Sequence, residues 1–179
     1  MGVTNAALGG IGGDELRTSI AAFYRRSIDE VYRYFHRATA GNCRLSEDLT
    51  QETFMACVRA AHSGTTDATT MPWIMGVARH KLIDHYRRSS REERKLSLVW
   101  GGSDETVDGD FDVTEGEALT ALTKLGPLHR LVLVLRYLDD MTVGEVAAAI
   151  DRSVQATESL LVRARRSLEQ LVKEAHDGI

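Results

Sequence analysis

At 179 residues the chain has room for one ordinary domain or two small ones. Ala, Leu and Arg are abundant and alternating β-branched runs are almost absent, which argues against a sheet protein and predicts an all-α one. A net charge of −4 argues against a simple basic nucleic-acid binder, and the longest apolar run, Leu131–Leu135, is too short to cross a bilayer, so no membrane insertion is expected.

The charge is sorted along the chain. Residues 79–95 hold seven Lys or Arg against three acids, whereas residues 96–123 hold seven acids and no Lys or Arg. Segregation of this kind suits segments that face different partners. Cys43 and Cys57 are the only cysteines. Their spacing fits no zinc pattern, and both are expected to be reduced and to pack as small buried hydrophobes. The glycine-rich start (residues 1–13) reads as a flexible tail without a basic-then-apolar leader, so a cytoplasmic location is expected.

In chain order, Ile20, Phe23, Tyr24, Ile28, Val31, Tyr32 and Phe35 recur every three or four residues and predict a helix from Glu15 to about Ala40. Gly41-Asn42 breaks it, and Ser46 is the expected N-cap of a second helix that reaches Ala61, with Glu47 and Asp48 at its positive end. A polar loop (62–70) precedes a third helix with Pro72 in its first turn. Trp73, Val77, Ala78, Leu82 and Tyr86 give that helix a buried side. Residues 97–117 lose periodicity and have the composition of a linker. Helices are then expected at 115–124, at 128–138 and at 143–150, the last opened by the capping box Thr142-x-x-Glu145. Asp151-Arg152 make a turn, and a final helix capped by Ser153 runs to about Lys173. The expected organisation is a helical domain (14–95), an acidic linker (96–114) and a second helical domain (115–175).

Residues 142–166 have the layout of a helix-turn-helix. Val146, Ala147 and Ile150 would pack against Val154, Leu161 and the apolar 131–135 segment. The second helix could then enter a major groove with Gln155, Glu158, Ser159 and Val162 at base edges and Arg163 and Arg166 at phosphates. An antiparallel helical hairpin with a solvated basic end would look the same in sequence. In the first domain, Asp48, Gln51, Glu52, Met55 and Arg59 form an acidic and polar stripe that suits a partner helix bearing cations, or simply solvent. The helix VARHKLIDHYRRSSREERK puts His80, Asp84, Arg87 and Arg91 on one face with Lys81, His85 and Arg88 beside it. Cations near Trp73 and Tyr86 suit a single-stranded nucleic acid, although both aromatics also fit a core. His80 and His85 lack the i, i+4 spacing of a helical zinc pair, and no nucleophile or carboxylate pair converges with them. No catalytic residue, metal or cofactor is expected, and no enzyme activity.

Together these segments resemble the extracytoplasmic-function (ECF) group of bacterial RNA polymerase sigma factors over residues 14–175. SEDLTQETF (46–54) is similar to the family's polymerase-binding segment, MPWIMGVARHKLIDHYRR (71–88) to its −10 recognition helix, and LGPLHRLVLVLRYLDDMTVGEVAAAI (125–150) with RARRSL to its −35-binding domain. The resemblance implies that Asp48, Gln51, Glu52, Phe54 and Met55 contact the clamp coiled coil of the largest polymerase subunit. The flap of the second-largest subunit is a further implied contact. It implies that Trp73, Arg79, His80, Lys81, Asp84, Arg87 and Arg88 line the melted −10 strand, with loop 63–70 beside a flipped base. Ser153, Gln155, Glu158, Ser159, Val162, Arg163 and Arg166 would read the −35 duplex. The acidic linker would thread the channel that later holds RNA, and an anti-sigma factor is an implied partner. The chain departs from the family's usual pattern at His80, where Asn is common, at Asp151, where Gly is expected, and at Glu158 and Leu160, which replace cations. A duplex-binding helix-turn-helix regulator and a helical adaptor that binds only proteins are the rival readings.

Overall fold

The computed structural model describes the backbone of residues 13–96 and 115–177 and the side chains of residues 13–89 and 120–174. Every regular element among these residues is helical: α1 (Gly13–Ala38), α2 (Cys43–His62), a 3-10 turn (Thr66–Thr69), α3 (Met71–Leu96), α4 (Glu115–Lys124), α5 (Pro127–Leu133) with a π-helical extension (Val134–Leu138), α6 (Val143–Ile150) and α7 (Val154–Asp177). The expected tail and acidic linker fall outside the described residues, apart from Gly13 and Leu96 at helix ends.

The periodic apolar stripe makes α1. Phe23, Ser27, Val31, Tyr34, Phe35 and Ala38 are its buried residues, spaced by one helical turn. Tyr24 leaves this stripe and is 43% exposed. Ala40 and Gly41 adopt positive φ (55° and 79°) and reverse the chain. The N-cap of α2 is Asn42, whose side chain accepts a hydrogen bond from the Leu45 backbone N–H at 3.0 Å. Ser46, expected as the cap, instead lies one turn inside the helix. It is buried, and its hydroxyl meets Thr39 Oγ1 at 2.9 Å and donates to the Asn42 carbonyl at 2.7 Å. The helix therefore starts four residues early, and Glu47 and Asp48 lie beyond its first turn.

Helix α3 fixes the first domain. Ile74, Ala78, Leu82 and Tyr86 are buried on its core side, with Trp73 partly buried against the same core. The Tyr86 hydroxyl donates to the Ala38 carbonyl at 2.9 Å, tying α3 to the end of α1. Lys81 and Glu52 join α3 to α2 at 2.9 Å, but both are partly exposed. Such a pair contributes at most about 1 kcal/mol, less than the ~1.5–3 kcal/mol from burying one large apolar side chain, so the apolar contacts hold the helices together.

In the second domain α7 packs against α4, α5 and α6. Gly126 caps α5 with Pro127 in the first turn. The segment expected as one helix over 128–138 changes pitch. At its end Asp139 N–H reaches back five residues to the Val134 carbonyl at 3.1 Å, and Asp140 follows at φ 51°. Leu131–Leu135 are all buried, and so are Val146, Ala147, Ile150 and Leu161. Val154, expected in this core, is 49% exposed at the head of α7. Asp151 takes the left-handed conformation (φ 56°) in the turn between α6 and α7. The capping box is present: Thr142 Oγ1 accepts from Glu145 N–H at 3.3 Å, and Glu145 Oε2 accepts from Thr142 N–H at 2.7 Å. These bonds to Thr142 hold the Glu145 carboxyl below its ordinary range.

The buried apolar residues of both halves form one cluster, because α3 packs on α5 and α6 as well as on α1 and α2. Replacing Thr142 with Ala removes the hydroxyl's bonds to the Glu145 N–H and the Glu145 carboxylate and leaves the backbone N–H bond in place. It should lower the stability of the second domain by about 1 kcal/mol, read as a lower urea midpoint at unchanged slope.

Candidate polymerase and nucleic-acid surfaces

Three surfaces collect the residues singled out in the sequence. The first runs along α2. Asp48, Gln51, Glu52 and Met55 are exposed on one stripe. Met55 is 50% exposed, an unusual position for a large apolar side chain on a charged face. The stripe borders a groove of about 550 Å³ between α1 and α2, lined among others by Tyr24, Asp29, Glu47, Gln51 and Met55. Phe54 does not join the exposed set. It is 6% exposed and stands edge-on to Tyr24, with centroids 4.8 Å apart, so it forms the floor of the groove and part of the core. Tyr24 is the wall residue that sequence periodicity missed, because its spacing is that of a buried position.

The second surface is α3, and the structure divides its polar residues into stripes. His80, Asp84 and Arg88 repeat at i, i+4 and i+8, and all three are exposed. Lys81 turns aside to Glu52, which makes the α2 and α3 surfaces contiguous. Arg79, Ile83 and Arg87 form the adjoining stripe, and the second domain engages it while leaving the Arg79 side chain 37% exposed. Arg79 Nη2 bonds Asp139 Oδ1 at 3.2 Å, and Arg87 Nη2 donates to the Ala149 carbonyl of α6. Ile83 between them is buried. Arg87 therefore does not share the open face with His80, as the sequence suggested, and the side chain of Arg91 lies outside the described residues. Tyr86 is a core residue, not an open ring. Beside α3, the turn 66–69 is pinned to the core: the buried Cys57 thiol donates to the Ala68 carbonyl at 2.9 Å, and Arg26 reaches the Thr69 carbonyl at 3.4 Å. Ser63, Thr65, Thr66 and Asp67 of the same loop are exposed.

The third surface is the leading face of α7. Gln155, Glu158 and Arg163 are exposed, while Ser159, Val162 and Arg166 are partly buried beside them. Ser153 is spent as the cap, its Oγ accepting from Ala156 N–H at 3.2 Å. Leu160 points into the core, so the departure there removes no surface cation. Exposed Val154 sits at the tip of α7, an apolar contact point that the sequence reading had placed inside. His129 of α5 is held below its ordinary range by burial and by Arg163 nearby.

The junction between the domains centres on Asp139, whose side chain is 4% exposed. Oδ1 takes Arg79, and Oδ2 accepts from the Tyr34 hydroxyl at 3.1 Å. Burial, and then the adjacent Asp139 carboxylate, push the Tyr34 hydroxyl far above the ordinary phenol range, so it remains a donor. Among the described residues no set of three or more His, Cys, Asp or Glu side chains could hold a metal ion, and no helix is long and apolar enough to cross a membrane.

Residues 23–92 match the Sigma-70 region 2 family, and residues 115–168 match the Sigma-70, region 4 family. The chain is 30% identical over 156 residues to the ECF RNA polymerase sigma factor SigM of Bacillus subtilis, covering 86% of this chain and 94% of SigM. It is 26% identical to the RNA polymerase sigma factor YlaC of the same organism, covering 90% and 96%. It is 27% identical to the ECF sigma factor BldN of Streptomyces coelicolor over 84% of this chain, a match that spans 59% of BldN. Among solved structures, the sigma factor RpoE in complex with the anti-sigma factor NepR from Bartonella quintana aligns at 20% identity, covering 89% and 95%, with a TM-score of 0.46.

An all-helical region 2 followed by a region 4 with a helix-turn-helix defines the class as a sigma-70-type transcription initiation factor. Within that class the chain belongs to the ECF RNA polymerase sigma factors.

The expectation that both cysteines are buried holds for Cys57 only, since Cys43 is exposed at the start of α2. Burial also raises the Cys57 thiol above its ordinary value, and the thiolate is the reactive form. Thiol titration of the folded chain should therefore show one fast site, lost in Cys43→Ser. The second should react only on unfolding.

Proposed function

We propose that this ECF sigma factor binds core RNA polymerase through the α2 stripe and directs promoter-specific initiation through α3 and α7. The observation that carries the reading is the α2 surface. Asp48, Gln51 and Glu52 stand exposed beside Met55 and an apolar groove. Charge over an apolar floor fits a partner helix with cations on its flank, and the clamp coiled coil of the largest polymerase subunit is the expected partner. The flap of the second-largest subunit is a further one. On α3, His80 and Arg88 face outward, with Arg79 and Arg87 on the next stripe. Guanidinium groups supply charge-assisted bonds to the phosphates of the melted −10 strand. On α7, Gln155, Glu158, Ser159 and Val162 would meet base edges of the −35 duplex, with Arg163 and Arg166 at phosphates. Glu158 can accept from cytosine N4.

Each DNA contact is weak alone, given the net charge of −4. Holding both domains on one polymerase turns the second contact into an intramolecular event, raising the combined affinity without new interactions. Strand melting follows from the capture of unstacked bases, and no nucleotide hydrolysis by this chain is involved. The protein acts in the cytoplasm as a positioning subunit, not as an enzyme. An anti-sigma factor that covers the groove or the DNA faces is the expected regulator.

Run-off transcription with purified core polymerase and genomic fragments tests the reading: promoter-specific transcripts are expected only when both are present. Asp48→Arg should abolish co-purification with core polymerase at unchanged helicity, and normal binding by this variant would remove the role of the α2 stripe. Glu158→Lys should shift −35 preference while leaving a pre-melted −10 template equally active. An unchanged −35 profile would show that Glu158 does not read bases.

A further inference from the structure

We infer that Asp139 is a latch that holds the two domains closed and thereby withholds Arg79 and Arg87 from the −10 strand. The inference rests on the proposed role of α3 in strand binding and adds to it a competition for the same side chains.

Asp139 ends a helical segment, where the backbone dipole favours a cation and disfavours a carboxylate. Its charge is compensated from the other domain. Arg79 and Tyr34 supply donors to the two carboxylate oxygens, from α3 and α1 respectively. The contact brings together residues 60 and 105 positions apart, and it buries the Asp139 side chain almost fully. Arg87 is engaged one turn beyond Ile83 by the Ala149 carbonyl at the end of α6, so the second domain takes both arginines of one α3 stripe.

The engagement is incomplete. Nε of Arg79 and Nε of Arg87 are buried without a hydrogen-bond partner. A guanidinium satisfies its donors best on a bidentate acceptor, which phosphate offers; the Ala149 carbonyl gives Arg87 one acceptor, and at Arg79 the second Asp139 oxygen is taken by Tyr34. Closure thus leaves the two arginines with unused donors, and a nucleic-acid backbone is the chemistry that would use them. Strand and second domain compete for one stripe, while the adjoining His80–Asp84–Arg88 stripe stays open in either state. A strand that binds only the open form is weakened by the fraction of molecules that are closed. Polymerase, by separating the domains, would lift that penalty at the moment of promoter engagement.

The test uses the full chain and two variants. Asp139→Asn keeps the shape and removes the charge; Tyr34→Phe removes one hydroxyl and leaves the Arg79 pair. Small-angle scattering should show a closed wild-type chain, a larger radius of gyration for Asp139→Asn and a smaller increase for Tyr34→Phe, with helicity retained. A labelled single-stranded DNA carrying the non-template −10 sequence of a mapped promoter should bind Asp139→Asn at least about threefold more tightly than wild type. If Asp139→Asn loses helicity, Tyr34→Phe decides by the same two readouts. A wild-type chain that is already extended, or variants as closed as wild type, would overturn the latch. Opening without a gain in strand affinity would overturn the masking. Opening with no strand binding by any form would instead remove the strand-binding role of α3.

Discussion

Helix α3 has to bury two sides at once. One side carries Ile74, Ala78, Leu82 and Tyr86 into the core built by α1 and α2. The other, Arg79–Ile83–Arg87, lies under α5 and α6 and is mostly polar. The first contact is apolar, with the Tyr86 hydroxyl bonded to the Ala38 carbonyl. The second depends on a carboxylate, a phenol and two guanidinium groups whose bonding is only partly complete. A contact of that composition is suited to being exchanged. On the proposed reading the same helix is a structural beam on one side and a shared binding strip on the other.

The three proposed surfaces also differ in how they are held. The α2 stripe rests on a rigid base, with Phe54 and Cys57 in the core and the 3-10 turn tied to it through the Ala68 carbonyl. The α7 face is held by packing on three helices and by caps at both ends of the turn, Asp151 and Ser153. Among the described residues, the α3 surface is the one of the three that the other domain engages. The proposed polymerase surface on α2 and the proposed DNA surface on α3 adjoin, because Glu52 and Lys81 touch.

Much of this was legible in the sequence, and the reasons are local. Helix starts that rest on short-range chemistry, such as Thr142 with Glu145, Pro127 after Gly126, and Ser153, were readable because cap and partner lie within three residues. The stripes on α2 and α7 followed from periodicity alone. The readings that failed involve contacts distant in sequence or choices between similar residues. Ser46 and Asn42 are both good caps, and the positive φ of Ala40 and Gly41 decides for Asn42. Tyr24, Cys43 and Val154 occupy positions with apolar spacing that the packing leaves exposed. Asp139 looked like a helix stop, and its role depends on Tyr34, 105 residues away. The split of α3 into open and covered stripes was hidden for the same reason. Family resemblance suggested which residues would meet DNA, but could not show that the second domain holds two of them.

On the proposed latch, the free chain is closed and core RNA polymerase opens it. The most direct measurement is the distance between dyes at Cys43, which is exposed, and at a cysteine introduced for exposed Glu174, with Cys57 protected by burial. Single-molecule energy transfer on the free chain should give one narrow short-distance population, and addition of core RNA polymerase should move it to a longer distance. The same distance with and without polymerase would contradict the account.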